Sequence, residues 1–83
     1  MRITLSKQAQ KYLDKCDSKT YYRLEKAIDG LADFEGDITK LRGRKDEYRL
    51  SKPPYRVIFI HIAGSDFIYV KTIGPRGDVY KKG

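Results

Sequence analysis

Apolar and polar positions change period twice along this chain. Ile3 and Leu5 alternate with Arg2 and Thr4, so Met1–Leu5 reads as a short strand. Ser6 then offers an N-cap, and Ala9, Tyr12, Leu13 and Cys16 fall at helical spacing, which predicts an amphipathic helix over residues 7–15. Asp17 or Ser18 caps a second helix with the stripe Tyr21, Leu24, Ala27, Ile28 and Leu31, with Phe34 near its end. Gly36 follows as a stop. Both helices are too short to be stable alone and must pack on a sheet. Residues 37–47 lack either period and read as a connection, with Leu41 tucked under the sheet.

From Tyr48 onward the alternation returns. The run Ala63-Gly64-Ser65-Asp66 carries a hairpin signal, with Gly64 and Ser65 as a two-residue loop and Ala63 paired to Asp66. That register sets Val57 opposite Thr72 and Arg56 opposite Ile73. Upstream, Ser51-Lys52-Pro53-Pro54 reads as a loop, because two prolines stop a strand. Leu50 then pairs with Tyr55, and Arg49 faces Arg56. Side chains alternate across a strand, so the register also assigns faces. Leu50, Val57, Phe59, Ile68 and Val70, with His61 and Thr72, form the expected core face. Glu47, Arg49, Arg56, Lys71 and Tyr69, among Ile58, Ile60 and Ile73, form the expected open face. Two arginines directly opposite each other repel, a cost that a bound polyanion would offset.

The predicted order is β-α-α-β-β-β. This is an α+β fold, a mostly antiparallel sheet with two N-terminal helices packed on one face. A double-stranded-RNA-binding domain runs helix, three strands, helix, and does not fit. The 83 residues make one domain, 1–83, with no repeats or linker. At this size folding buries only roughly 60–65% of the chain's surface, so the core is small. No apolar run nears the ~20 residues that span a bilayer, and no signal peptide precedes the first strand. The single cysteine, Cys16, cannot form an internal disulfide. A cytoplasmic protein with no membrane partner is the expectation.

Charge sharpens this picture. The net charge is +7, and residues 1–39 carry seven Lys/Arg and seven Asp/Glu. Residues 40–83 carry eleven Lys/Arg and four Asp/Glu, so the second half holds the whole excess. Basic charge on one face of a sheet points to phosphate, most simply nucleic acid. The cations of the second helix are interspersed with carboxylates such as Glu25 and Asp29, an ordinary solvated face.

The available chemistry is narrow. One histidine and one cysteine exclude a His/Cys zinc site, and no paired carboxylates or phosphate-cradling glycine loop occur, so no metal or cofactor is expected. His61 and Cys16 read as structural. What remains is arginine, lysine and tyrosine at one end of a sheet. Arg76 follows the strand-breaking Gly74-Pro75, with Tyr80 soon after. This set suits attack of an RNA 2′-hydroxyl on its own adjacent phosphate. The nucleophile belongs to the substrate, and guanidinium groups stabilise the charge gained on phosphorus. Tyr80 would stack on a base or bind the 2′-hydroxyl. Arg49 has a plain structural alternative, pairing with Glu47 or Asp46. Lys52, Lys71, Arg44, Lys45, Lys81 and Lys82 are candidate RNA contacts through general electrostatics. No good general base is present, because tyrosine and arginine hold their protons near neutrality. Such an enzyme needs something else to align the RNA.

Four short pieces, in this order and spacing, resemble the RelE/ParE toxin superfamily. They are Lys40-Leu41-Arg42-Gly43, Glu47-Tyr48-Arg49-Leu50, Tyr55-Arg56-Val57-Ile58-Phe59 and Gly74-Pro75-Arg76-Gly77-Asp78-Val79-Tyr80. The resemblance covers the whole chain. It implies the toxin of a type II toxin–antitoxin system, a ribosome-dependent mRNA endonuclease (mRNA interferase) that cleaves the A-site codon and leaves a cyclic phosphate. The ribosome would supply the missing alignment, and a cognate antitoxin would block the site. By motif position, Arg56, Arg76 and Tyr80 match the family's catalytic residues. The RelE branch places lysines along the second strand; the matching positions here are Arg49 and Ser51, so Arg49 stands in for one lysine. The ParE branch shares the fold but poisons DNA gyrase. A gyrase inhibitor without nuclease chemistry and a non-catalytic RNA- or ribosome-binding module are therefore the alternative readings.

Overall fold

The computed structural model describes residues 2–75. Its elements run β1 (Arg2–Leu5), α1 (Lys7–Lys15), α2 (Ser18–Asp29), a 3-10 turn (Gly30–Asp33), β2 (Asp37–Lys40), β3 (Glu47–Lys52), β4 (Tyr55–Ile60) and β5 (Phe67–Pro75). The predicted caps form. Ser6 Oγ accepts from Ala9 N–H at 3.0 Å at the start of α1, and Asp17 Oδ1 accepts from Thr20 N–H at 3.1 Å at the start of α2. The two helices are separated by Cys16 and Asp17 alone. Cys16 is half-buried, and its thiol donates to Tyr12 O at 3.2 Å.

The sheet order is β1-β5-β4-β3-β2. β1 lies parallel to β5, and all other pairs are antiparallel. The sheet thus has five strands, and the order is β-α-α-β-β-β-β. The additional strand is β2, within the segment read from the sequence as a connection. Of its four residues only Ile38 packs against the core, so one apolar position gave no period to detect. Gly36 makes the entry to β2. Its φ is +119°, and a Cβ there would lie 2.7 Å from Leu50 Cδ1.

One face of the sheet packs against the helices. Ala9 and Leu13 of α1, Leu24 and Ile28 of α2, and Leu31 meet Leu50, Val57, Phe59, Ile68, Val70 and Ile73 in one buried cluster. Phe34 closes the end of this core, with its ring edge-on to Phe59, Tyr48 and His61 at centroid distances of 5.8, 5.3 and 5.4 Å. His61 is therefore a half-buried packing residue on the core side.

Two details of register differ from the sequence reading. Strand β3 runs through Ser51 to Lys52, and the two prolines alone make the turn. Lys52 pairs with Tyr55 and Arg49 with Ile58, so Arg49 does not face Arg56. Between β4 and β5 the expected register holds at Ile60↔Tyr69 and Phe59↔Val70, then shifts by one residue at a bulge. Beyond it Ile58 pairs with Thr72 and Val57 with Ile73. Ile73 consequently enters the core and Thr72 turns outward. The tip is also longer than a two-residue loop. β4 stops at Ile60, and His61 N–H donates to Asp46 O at 3.0 Å. The turn closes through Ser65 N–H to Ile62 O at 2.9 Å, and no ladder pair forms between Ala63 and Asp66.

Candidate nucleic-acid interface

The face of the sheet away from the helices is built by alternation. From β3 it takes Glu47, Arg49 and Ser51; from β4, Ile60, Ile58 and Arg56; from β5, Tyr69, Thr72 and Gly74. Arg49 sits opposite Ile58, and Arg56 opposite Ser51 and Gly74. Arg49 and Arg56 are thus diagonal neighbours, a relation that sets Cα atoms roughly 7–8 Å apart. Each lies beside a small residue or Ile58 rather than against the other. Both residues are half-buried, with Nε atoms shut off from solvent. The direct opposition of Arg49 and Arg56 expected from sequence does not occur. Two residues with forked donors thus lie diagonally on adjacent strands of one face, and guanidinium groups are donors that suit phosphate.

Beside this pair lies an open groove of about 420 Å³ lined by Leu41, Arg42, Arg44, Glu47, Ile58, Lys71 and Thr72. Its floor is Ile58, which is 6% exposed although it is on the outer face. Leu41 continues the outer row of β2, because its N–H donates to Glu47 O at 3.0 Å. It therefore lines this groove and is not tucked under the sheet. Among the described residues Glu47 is the one carboxylate of the groove. It receives Arg44 Nη1 and Lys71 Nζ, each at 3.3 Å. The described lining carries three cations and one anion, so it is basic yet internally ordered.

Arg49, Arg56, Lys71 and Arg44 share this face. Lys45 is exposed in the loop between β2 and β3. Lys52 is elsewhere: it has the parity of Leu50 and lines a separate cleft with Lys26, Glu35 and Asp37, towards α2. Arg76, Tyr80, Lys81 and Lys82 lie outside the described residues. Sequence reasoning missed Glu47 as the organiser of Arg44 and Lys71. It also missed Leu41, Arg42 and Thr72 as groove residues. The signal for Leu41 was the alternation of β2, detectable only once that strand is recognised; Arg42 follows in the turn and no strand period marks it. Among the described residues no group of His, Cys, Asp and Glu is gathered for a metal. Burial, with help from the negative charge of Asp17, pushes the Cys16 thiol above its ordinary value, which makes it a poor nucleophile. Among the described residues no helix is long and apolar enough to cross a membrane.

No family model matches this sequence, and no curated protein matches it. Solved structures do. The RelE–RelB complex of the archaeon Pyrococcus horikoshii OT3 aligns at a TM-score of 0.75 and 27% identity, over 93% of this chain and 96% of that one. The isolated Escherichia coli RelE toxin aligns at 0.75 and 23%, over 98% and 92%. The antitoxin–toxin complex of Methanococcus jannaschii aligns at 0.75 and 19%, over 95% and 96%.

Proposed function

We propose that the chain, which shares the fold of the RelE toxins, is a member of the RelE superfamily and the toxin of a toxin–antitoxin pair that cleaves mRNA in the ribosomal A site. The observation that carries this reading is the diagonal pair Arg49 and Arg56 on the open face, flanked by a basic groove. Two guanidinium groups held by adjacent strands brace the non-bridging oxygens of the scissile phosphate. As the 2′-hydroxyl attacks, a bond forms from its oxygen to phosphorus and the bond to the 5′-oxygen breaks; the 2′-hydroxyl gives its proton to water, and the departing 5′-oxygen takes one from water. The product is a cyclic phosphate and a free 5′-hydroxyl. Charge on the phosphoryl oxygens rises in the transition state, which is where fixed donors contribute most. Arg76 and Tyr80 complete the proposed set by motif position, Arg76 on the phosphate and Tyr80 at the 2′-hydroxyl or a base. Lys71, Arg44 and Lys45 steer the RNA strand, with Lys81 and Lys82 adding charge by sequence. No good general base is at hand, and the ribosome compensates by holding the 2′-hydroxyl in line with the scissile bond.

An antitoxin is the second proposed partner, since RelE structures of this fold were solved with RelB. Exposed Ile62 and Phe67, 48% and 43% exposed, mark apolar surface at the β4–β5 hairpin end that such a partner would cover. The test is primer extension on mRNA with ribosomes halted at a defined codon and on the same mRNA alone. Cleavage at the A-site codon only with ribosomes is expected. No cleavage by folded protein in either sample overturns the reading.

A further inference from the structure

Strand β1 ends at Leu5, opposite Val70, but β5 continues to Pro75. The first turn of α1 takes over the vacated edge. Ser6 N–H donates to Val70 O at 2.9 Å. Ser6 Oγ donates to Lys71 O at 2.8 Å while it caps α1, so one hydroxyl joins helix and strand. Further along, Gln8 Nε2 donates to Ile73 O at 2.9 Å, and Gln8 Oε1 accepts from Ile73 N–H at 2.9 Å. The primary amide binds β5 as a neighbouring strand would.

The choice of Ile73 is informative. In a regular strand, successive residues turn their N–H and C=O groups to opposite edges. Val70 faces the β1 edge, so an unbulged β5 would present Thr72 there next. In the structure the carbonyls of both Val70 and Lys71 face Ser6, and the next residue bound on that edge is Ile73. That is the signature of one inserted residue. Without the insertion, Thr72 would enter the core and Ile73 would lie on the outer face, the arrangement that simple alternation predicts. Gln8 contacts atoms available only in the bulged register.

We propose that Gln8 is a positioning residue that locks the bulged register of β5, and so holds Lys71 and Thr72 in the groove and Gly74 beside Arg56. Its consequence for cleavage rests on the nuclease reading above; the lock itself does not. The test uses the full chain with Gln8→Leu, which removes both hydrogen bonds, and Gln8→Glu, which when ionised keeps one and sets a carboxylate against Ile73 O. Hydrogen exchange is read at the Ile73 amide and cleavage on halted ribosomes. Gln8→Leu is expected to speed Ile73 exchange roughly tenfold or more. It should lower the cleavage rate constant roughly tenfold, with KM within about twofold. In Gln8→Glu, acidification restores the carboxyl O–H donor, so Ile73 protection should recover towards wild type as pH falls below about 5. A purely packing role would not give that pH dependence.

Unchanged Ile73 exchange in Gln8→Leu overturns the lock, and unchanged cleavage overturns its role in the reaction. If Gln8→Leu does not fold, Gln8→Glu decides: Ile73 protection independent of pH overturns the lock. If the wild type cleaves nothing, the nuclease reading fails, while Ile73 exchange still decides the lock by the same criteria.

Discussion

Glu47→Gln is the most informative single change on the open face. Glu47 is 15% exposed at its side chain and holds Arg44 and Lys71, each at 3.3 Å. Those partners are 58% and 43% exposed, so solvent screens both pairs. Exposed pairs contribute about 0.2–1 kcal/mol each, and here the lower end applies, so the change should cost less than about 1 kcal/mol of stability. Its effect on RNA should be larger and of opposite sign. Glutamine keeps the shape but releases one or two cations to bind phosphate. For single strands the logarithm of the binding constant falls with the logarithm of salt at a slope of about −0.7 per phosphate neutralised. Glu47→Gln should therefore steepen that slope by roughly 0.7–1.4 and tighten binding at low salt. The assay is fluorescence anisotropy of a labelled single-stranded RNA, titrated with salt between about 50 and about 300 mM. Asp14→Asn, an equal charge change on exposed α1, is the control and should leave the slope unaltered. An unchanged slope or weaker binding, with melting preserved, would show that RNA does not cross this groove.

Three further outcomes are expected. Arg56→Lys keeps the charge but loses the fork, and should lower cleavage roughly 100-fold while RNA affinity changes only a few-fold, as single-turnover rates and anisotropy would show. Gly36→Ala forces a Cβ to 2.7 Å from Leu50 Cδ1 at a φ of +119°, and should cost about 2–4 kcal/mol in urea unfolding. Hydrogen bonds from Thr20 hold the Asp17 carboxyl below its ordinary value of 3.8. A depressed carboxyl contributes stability above its unfolded value and loses it as pH falls through the folded one. Asp17→Asn, which still caps, should flatten the loss of melting temperature below about pH 4 and leave neutral pH nearly unchanged.

Much of the fold was legible because local signals agreed. Ser6, Asp17 and the stripe Leu24 and Ile28 located both helices through capping chemistry and period. β2 was not legible, since Ile38 alone packs against the core among charged and exposed neighbours. Prolines 53 and 54 misled in a physical way. They cannot donate to a ladder, but as the turn itself they have no ladder bond to lose, so β3 extends two residues further. At the candidate site, Arg49, Arg56 and Lys71 were legible from parity. Parity also placed Glu47 on this face, but its role was not legible, because that depends on Arg44 folding back from a loop and Lys71 reaching across from β5.

The two register errors had unequal consequences, and the difference follows from the period of a strand. The β3–β4 offset was two residues, which leaves every side chain on its face. Arg49 and Arg56 stayed on the open side and merely moved from opposite to diagonal. The change matters for function. Directly opposed guanidinium groups repel each other at close range, whereas the diagonal relation sets the two strand positions roughly 7–8 Å apart and weakens that repulsion. The β4–β5 error was one residue, and one residue exchanges faces. It moved Ile73 inward and Thr72 outward, which put a hydroxyl rather than an isoleucine into the basic groove. The core gains a buried isoleucine and the groove gains a donor, so one inserted residue serves both faces. Such an insertion must be held against the regular alternative. The hydrogen bonds of Ser6 and Gln8 fall on the backbone atoms of Lys71 and Ile73 that the bulge exposes.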